Sequence, residues 1–270
     1  MFWRRKELLD YFERYERYAA PIMGNLLSAG FLNFPGRLRC GDYFFARRGE
    51  ELYGVAALFN DGNMMVCLNA PWTEEMRSLT VAFEWHTLWD YSFQPSTGVH
   101  IQSIPGVYEL RPLILMERDT AVPLSPAPDS IDIIRADMVP GDPGVALFIR
   151  VCMRECFGFD PDMRAVRKRL TERTRDEWYL IGAVGGVMAA QAHIQAWTPR
   201  YGVIGGVGTL RTHRGRGLAR AVTARLCGHI EESGRIPILT VDRGNEAAIA
   251  LYRSLHFREV DQTFACHRRT

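Results

Sequence analysis

The segment from Tyr201 to Glu232 restricts the possible folds of this chain more than any other part of the sequence. It opens with an apolar run, residues 201–210, that is typical of a strand. It closes with residues 218–232, where apolar side chains recur at i, i+4 spacing, as on one face of a helix. Gly215 and Gly217 lie between the two and allow a tight turn. A strand, a glycine turn and a helix in direct succession favour a sheet that is covered by helices.

The rest of the C-terminal half continues this alternation of strands and helices. Hydrophobic patterning predicts strands at residues 131–135, 178–184, 187–197, 201–210, 236–241 and 257–266. Helices are predicted at residues 144–157, 161–174, 218–232 and 245–255, the last of them capped by Asn245. This order predicts a mixed α/β fold in which helices cover both faces of a mixed sheet.

The N-terminal half is predicted to form a second domain of the α+β class. Prolines punctuate residues 122–128, so we expect a linker at 122–130 between a domain at 1–121 and a domain at 131–270. The pattern predicts a helix at residues 2–18, strands at 43–46, 52–59 and 64–68, and a helix at 73–88. Weaker strands are predicted near His100 and at residues 113–117.

The charges and the apolar stretches exclude two classes of protein. The 33 Lys and Arg nearly balance the 31 Asp and Glu, a net charge of +2, whereas a general nucleic-acid binder carries a clear basic excess. Residues 178–199 are uncharged and long enough to raise the question of a membrane span. They contain Gly185, Gly186, Gln191 and His193, which fit two strands and a turn better. Without an apolar leader at the start, we expect a cytoplasmic protein that has no membrane segment.

The six cysteines indicate a reduced protein. They form no C-x-x-C pair, and free thiols are typical of a reducing compartment. Cys152 and Cys156 are spaced i, i+4 on a predicted helix, which is compatible with a pair of metal ligands. Partner ligands are missing nearby in the sequence, so buried thiols are the better interpretation and we expect no metal.

Arginines surround the glycine turn. Residues 178–230 contain no Asp or Glu but six arginines, four of which lie close to the two glycines: Arg211, Arg214, Arg216 and Arg220. Glycines let backbone N–H groups approach a ligand, and the start of the following helix adds free N–H groups and the positive end of the helix dipole. The pattern therefore predicts a phosphate or diphosphate site. The alternative is a strand–helix turn with solvated arginines.

Two motifs in this half resemble those of the GNAT superfamily of N-acetyltransferases. Arg214-Gly215-Arg216-Gly217-Leu218-Ala219 resembles the R-x-x-G-x-G/A loop that binds acyl-CoA, and residues 206–210 look like the strand before it. Residues 245–252, Asn-Glu-Ala-Ala-Ile-Ala-Leu-Tyr, resemble the family's N-x-x-A-x-x-L-Y helix, and Phe257 its closing G-F. The resemblance covers residues 131–270. His256 stands where the family has glycine, at a helix end that calls for a positive φ, which His tolerates better than most side chains.

The N-terminal half weakly resembles a second, degenerate copy of the same fold. Residues 39–68 have the family's rhythm of elements, but an R-x-x-G-x-G/A loop does not follow them. Tandem GNAT proteins with one silent half are known in the family. The resemblance therefore implies that residues 1–121 form a substrate-side domain that binds no cofactor.

The resemblance also implies an acyltransferase whose donor is acetyl-CoA. Backbone groups of Val207 and Thr209 would hold the pantetheine arm as an added strand, and an N–H near Val207 would bind the developing oxyanion. N–H groups of residues 215–219 would bind the diphosphate. Tyr252 is the family's usual acid and would protonate the leaving thiolate, although its place on an apolar stripe also suits packing. Asn245 would contact the cofactor, cap its helix, or both.

The acceptor and the base are less defined. We expect an amine on a small molecule or a peptide, bound by residues 144–174 and by the first domain. The predicted strands from 178 to 210 contain no carboxylate, so the base candidates are His193, Asp242, or no side chain at all. His193 shares a strand face with Gln191 and Gln195, and histidine has an unperturbed pKa of about 6.5. The alternatives are a hydrogen-bonded sheet residue for His193, a turn residue for Asp242, and a non-catalytic acyl-CoA-binding or sensing protein for the whole chain.

Overall fold

The computed structural model describes residues 2–60, 64–68, 108–126, 128 and 130–268 of the 270. The helix predicted at 73–88 and the strand predicted near His100 lie outside the described residues. The chain divides into two compact units. The first comprises Met1–Met116, Thr240–Asn245 and Glu259–Thr270, and the second comprises Glu117–Leu239 and Glu246–Arg258. The domain boundaries predicted from the sequence, 1–121 and 131–270, stay a prediction.

The first unit begins with a pair of helices and a small antiparallel sheet. Its elements are α1 (Phe2–Arg14), α2 (Glu16–Ala29), β1 (Gly41–Arg48), β2 (Glu51–Phe59) and β3 (Met64–Leu68), with the strands in the order β1-β2-β3. The buried side chains of Leu8, Phe12, Ile22 and Val55 belong to one core cluster. The Tyr11 hydroxyl donates to the carbonyls of Tyr53 and Cys67, at 3.1 and 3.0 Å.

The helix predicted at residues 2–18 differs from the observed one. The chain breaks at Tyr15, and a second helix then continues to Ala29 with Pro21 inside it. A proline inside a helix removes one hydrogen bond. Burial of Ile22, Met23 and Leu26 offsets that local cost, so tertiary packing extends the helical segment past the predicted end at residue 18.

The remaining elements follow the predicted order closely. They are β4 (Tyr108–Arg118), β5 (Asp132–Arg135), α3 (Pro143–Phe157), α4 (Met163–Thr171), β6 (Tyr179–Val184), β7 (Val187–Trp197), β8 (Tyr201–Thr209), α5 (Leu218–Glu232), β9 (Ile236–Asp242), α6 (Glu246–Ser254) and β10 (Phe257–Arg268). The carboxylates of Asp142 and Asp162 cap α3 and α4 by accepting from the N–H groups of Val145 and Ala165. No helix in the described ranges combines the length and apolar character needed to cross a bilayer.

The larger sheet has seven strands in the order β10-β4-β9-β8-β7-β6-β5. The pairs β5–β6, β6–β7 and β7–β8 are antiparallel, and β8–β9 is parallel. Helices α3 and α4 share a core cluster with Tyr179 and Ile181 of β6. Helix α5 packs on the opposite face, where Val222 and Leu218 lie above Gly182. The mixed α/β class and the mixed sheet flanked by helices are therefore confirmed.

The end of α6 has the backbone predicted from the sequence. His256 has φ 63°, and it is the one non-glycine residue at positive φ among those the structure describes. Its N–H donates to the Arg253 carbonyl and its own carbonyl accepts from the Asp119 N–H. His256 therefore adopts the positive φ expected at this helix end.

Close packing of α5 on the sheet generates a first prediction. A methyl group at Gly202 would lie 2.7 Å from the buried Ile230 side chain, so Gly202→Ala should lower the free energy of unfolding by roughly 1–3 kcal/mol. Gly228 lies inside α5 with open space around its Cα, so Gly228→Ala should raise it by about 0.5–1 kcal/mol. Urea unfolding followed by circular dichroism measures both. Equal destabilisation by the two variants would contradict the close packing of α5 on β8 at Gly202.

Candidate functional site

Strand β8 changes its hydrogen-bonding neighbours halfway along. Its parallel register with β9 runs from Tyr201 opposite Ile236 to Val203 opposite Ile238, where it ends. Its antiparallel register with β7 continues to Thr209 opposite Ala190. The edge of residues 204–209 that faces away from β7 therefore extends past the β9 ladder. A strand edge of this kind can accept an extended ligand as an additional strand.

A bulge interrupts the β7–β8 ladder in the same region. The register shifts between Gln191 and His193, and opposite them Gly206 has φ 61°. A Cβ atom at Gly206 would lie 2.4 Å from the His193 ring, so position 206 needs glycine for its φ and for its space. Bulges turn the neighbouring peptide groups out of the regular ladder. The backbone next to Val207, the predicted oxyanion donor, therefore departs from regular strand geometry.

The predicted phosphate loop leads directly into α5. Gly215 and Gly217 have φ 76° and 75°, and Gly217 is the left-handed N-cap residue of the helix. Arg214, Gly215, Arg216 and Gly217 are exposed, whereas Leu218 is buried and anchors the helix to the sheet. Gly217 brings no capping side chain, so the first N–H groups of the helix are available to an anion.

The end of α3 lies beside this loop, which the sequence did not indicate. The Arg214 Nε donates to the Thr209 carbonyl at 3.2 Å, and the Cys156 thiol donates to the same carbonyl at 3.4 Å. The sulfur of Cys152 is 3.7 Å from that of Cys156. The carboxylate of Glu155 accepts from the Arg211 N–H. Local sequence patterns cannot predict a contact between residues more than fifty positions apart. The i, i+4 spacing of the two cysteines was the one feature of the sequence that pointed to this cluster.

The pKa of Cys156 is lowered to about 7. A hydrogen bond from Cys152 is the largest cause, burial acts against it, and the Arg214 guanidinium adds to the lowering. The pKa of Cys152 is raised, chiefly by its hydrogen bond with Cys156 and then by burial. Cys156 is therefore the more acidic thiol of the pair, and Cys152 stays protonated at neutral pH.

His193 lies in a row of polar side chains on the α3–α4 face of the sheet. Its ring stacks on Tyr179, with ring centroids 4.9 Å apart. The Tyr179 hydroxyl donates to the Gln191 Oε1 at 2.9 Å, and the Gln191 Nε2 donates to the Gly206 carbonyl at 3.4 Å. Gln195 lies against Gly205 on the same strand pair. The shared face of Gln191, His193 and Gln195 is thus observed, and Tyr179 joins it as a residue that the sequence did not single out.

Tyr252 is placed by α6 with its ring mostly buried. The ring meets Phe257 edge to face at 5.9 Å, and 6% of the residue is exposed. Burial is the largest cause of a raised pKa of the phenol. The hydroxyl is therefore protonated at neutral pH, although the raised pKa also makes it a weaker acid. Both the packing role and the acid role are compatible with this position.

Asp242 and Asn245 form a turn at the end of β9. The Asp242 carboxylate accepts from the Gly244 N–H at 2.8 Å, and its carbonyl accepts from the Asn245 N–H at 2.9 Å. Asn245 is exposed and directly precedes α6. Both residues belong to the first unit, whereas the loop, Tyr252 and His193 belong to the second. These contacts are typical of a turn residue, which is the structural alternative to a catalytic base for Asp242. In the described ranges, no group of three or more His, Cys, Asp or Glu is arranged to hold a metal ion.

Strand β8, its bulge, the glycine loop and helix α5 together form the candidate site, and a known protein family has the same region. The family model described as FR47-like protein matches residues 182–266. Residues 182–266 are therefore similar to FR47-like, GNAT-related proteins, which agrees with the GNAT resemblance predicted for the C-terminal half.

Individual known proteins agree with this assignment. The mycothiol acetyltransferase of Paenarthrobacter aurescens (strain TC1) is 30% identical over 166 residues, 56% of this chain and 50% of that protein. The match thus spans about half the length of this curated relative. A GCN5-related N-acetyltransferase from Kribbella flavida has a TM-score of 0.61 at 15% identity, covering 94% of each chain. A GCN5-related N-acetyltransferase-like protein from Streptococcus suis has a TM-score of 0.57 at 16% identity, covering 85% of this chain and 88% of that one. The two structures support the fold, and acyl transfer is the general chemistry of the acetyltransferases that the chain resembles.

Proposed function

We propose that this protein is an N-acetyltransferase that moves the acetyl group of acetyl-CoA to an amine of a small molecule or a peptide. The observation that carries the proposal is the pair of left-handed, exposed glycines at the start of α5, directly after a strand edge that extends past its neighbour. An extended arm that ends in a diphosphate fits this sequence of features. Acetyl-CoA has both parts.

The donor is bound by backbone groups. Val207 and Thr209 hydrogen-bond the pantetheine arm along the edge of β8. The N–H groups of Gly215 to Ala219 bind the diphosphate, with the exposed guanidiniums of Arg214 and Arg216 adding positive charge. Asn245 lies at the start of α6 and contributes as a cap or as a cofactor contact. These backbone N–H groups are fixed before the donor arrives, which reduces the entropic cost of binding.

The reaction is a direct displacement at the thioester. The neutral amine attacks the carbonyl carbon, a C–N bond forms, and the oxygen gains negative charge that an N–H near Val207 stabilises. The C–S bond then breaks, and Tyr252 gives its proton to the departing thiolate. The extra proton on the attacking nitrogen passes to solvent as the amide forms, and solvent restores the Tyr252 phenol. The ammonium proton of the acceptor must leave before attack, because an aliphatic amine has a pKa near 10. His193 is the proposed base, with Asp242 as the second choice.

The acceptor is proposed to lie on the α3–α4 face of the sheet. The polar row of Tyr179, Gln191 and His193 occupies that face. Polar groups there can orient an amine relative to the thioester. The N-terminal domain is proposed to serve the acceptor and to bind no second donor molecule, since the loop motif is missing from it.

A second candidate is a non-catalytic acyl-CoA-binding or sensing protein. The observation in its favour is that β6, β7 and β8 carry no carboxylate, so the usual base of the family is missing. Turnover of acetyl-CoA with a panel of amines, read as the release of free thiol, separates the two candidates. Donor binding without turnover across the whole panel would favour the sensor.

Gly217→Val tests the diphosphate site. A side chain at this position obstructs the backbone N–H groups, so the affinity for acetyl-CoA should fall by at least tenfold, which corresponds to about 1.4 kcal/mol. The matched control is Gly234→Val, because Gly234 has the same φ of 75° and equally open surroundings at the other end of α5. Calorimetric titration measures both variants. Wild-type affinity in Gly217→Val, or an equal loss in Gly234→Val, would refute the assignment.

Tyr252→Phe tests the acid. Loss of the proton donor should lower kcat by roughly 10²–10⁴-fold with little change in acetyl-CoA affinity, because the ring and its packing on Phe257 remain. Tyr201→Phe is the control, since Tyr201 is also buried in the second unit and has no proposed role. The assay is thiol release under conditions where chemistry limits the rate. An unchanged kcat in Tyr252→Phe would leave the ring with a packing role alone.

His193→Gln tests the base. If His193 removes the proton from the acceptor ammonium, the acidic limb of the pH profile of kcat/KM should disappear and the maximum should drop. His229→Gln is the control, because the His229 ring also stacks on an aromatic ring. That ring belongs to Trp178, which directly precedes β6, and the two ring centroids are 3.6 Å apart. Coinciding profiles for wild type and His193→Gln would place the base elsewhere. Asp242→Asn is then the next variant.

A further inference from the structure

The two cysteines at the end of α3 are not used by the proposed reaction. Their sulfurs lie 3.7 Å apart. The Cys156 sulfur also contacts the Thr209 carbonyl and interacts with Arg214 of the loop. We propose that Cys152 and Cys156 form a reversible redox pair, in which Cys156 reacts with a hydroperoxide and Cys152 then closes a disulfide. This goes beyond acyl transfer and is independent of whether the loop binds acetyl-CoA.

Cys156 is the residue with access and charge support. It is half-buried, whereas Cys152 is completely buried. The groups that act on it are Cys152 and Glu155 from its own helix and Arg214 from the loop; Arg214 favours the thiolate and Glu155 opposes it. The pKa of about 7 that results is close to the optimum for an attacking thiol, which must be ionised yet still nucleophilic.

Cys152 has the properties of the resolving thiol. Its pKa is raised and it stays protonated, so it donates a hydrogen bond to the Cys156 thiolate and does not compete for the oxidant. Its burial also keeps the hydroperoxide away from it. The division into one half-buried, more acidic thiol and one buried, protonated thiol sets the order of the two steps.

The chemistry balances with the hydroperoxide as the two-electron oxidant. The Cys156 thiolate attacks one peroxide oxygen, the O–O bond breaks, and the leaving oxygen takes a proton to become water or an alcohol. The Cys156 sulfenic acid that forms is attacked by the Cys152 sulfur, the S–S bond forms, and the hydroxyl leaves with the Cys152 proton as water. The two thiols lose two electrons, and the peroxide gains them.

The helix allows the bond to form with a small movement. Residues four apart on an α-helix rise by about 6 Å, inside the range of roughly 4.4–6.8 Å that disulfides span between Cα atoms. Closure requires the sulfurs to approach from 3.7 Å to about 2.05 Å. Helix α3 ends at Phe157, and Gly158 is left-handed, so the helix turn that moves is the last one. A Cβ atom at Gly208 would lie 3.1 Å from the Cys156 sulfur, so the strand below has little space to spare.

Oxidation changes the loop's immediate surroundings. It removes the negative charge of the thiolate next to Arg214 and withdraws the Cys156 sulfur from the Thr209 carbonyl. Thr209 and Arg214 are residues that the proposed function assigns to donor binding. The effect on the donor rests on that proposal, whereas the disulfide does not.

Peptide mapping tests the pair directly. Trypsin cleaves after Arg150, Arg154 and Arg164, so the two cysteines fall in separate peptides, residues 151–154 and 155–164. After the folded chain is treated with hydrogen peroxide and free thiols are blocked, digestion without reductant should yield these two peptides joined. Dithiothreitol should separate them. Absence of the joined pair, or joining to another cysteine instead, would overturn the proposal.

Single variants separate the two roles. Cys152→Ala should leave Cys156 as a sulfenic acid that dimedone traps, and Cys156→Ser should give no oxidation at Cys152. Ala retains the small apolar volume of the buried Cys152, which favours folding of the variant. Cys227 is the internal control, because its thiol is buried and its pKa is raised by that burial. Oxidation of Cys156 no faster than that of Cys227 would overturn the assignment.

The role of Arg214 has its own measurement. Arg214→Gln should slow the alkylation of Cys156 by iodoacetamide at pH 7 severalfold, because less thiolate is present. Arg216→Gln removes an equally exposed arginine of the same loop and should leave the rate unchanged. These rates do not depend on acetyl-CoA, so they are informative even if the protein proves not to be a transferase. Equal rates in the two variants would refute the stabilisation of the thiolate by Arg214.

Discussion

The end of the parallel pairing between β8 and β9 is the constraint on which the candidate site depends. The two strands pair as far as Val203 and Ile238, whereas β8 continues along β7 to Thr209. Backbone polar groups at a strand edge require hydrogen-bond partners, so this edge is a template for an extended ligand. The turn that follows opens α5, whose first N–H groups suit an anion. A ladder that continued to Thr209 would give a complete sheet and leave the loop without a neighbouring ligand groove.

Glycines make this arrangement possible, for two different physical reasons. Gly182 and Gly202 give space, because α5 packs so closely that a methyl group would collide with Val222 or Ile230. Gly215 and Gly217 give conformation, because their positive φ values turn the backbone at the start of α5. Gly206 needs both its φ and its space. The same residue type is therefore required on the helix-covered face and in the loop, but a substitution would fail by overpacking in one place and by backbone strain in the other.

Much of the fold could be predicted from local patterns. Strand β7 and helix α5 have their predicted bounds, and the positive φ of His256 follows from its place two residues after the short helix α6. The prediction failed where a local signal was overridden. The predicted helix ends at residue 18, yet α2 continues through Pro21 to Ala29, because burial of Ile22, Met23 and Leu26 outweighs one lost hydrogen bond. Packing energy of this kind is not visible in a window of neighbouring residues.

The sequence by itself determined the order of elements in the C-terminal half, the glycine–arginine loop at the start of α5, and the shared face of Gln191 and His193, because each depends on residues that are close along the chain. The tertiary structure decided which distant groups meet that loop. Cys156 contacts Thr209 across fifty-three residues, and Tyr179 stacks on His193 from the neighbouring strand. The periodicity of the sequence determines on which face of a helix or strand a side chain lies. Which helix packs on that face, and which strand residue lies opposite, depends on the packing of the whole core. The reactive environment of Cys156 is for that reason a property of the folded protein alone.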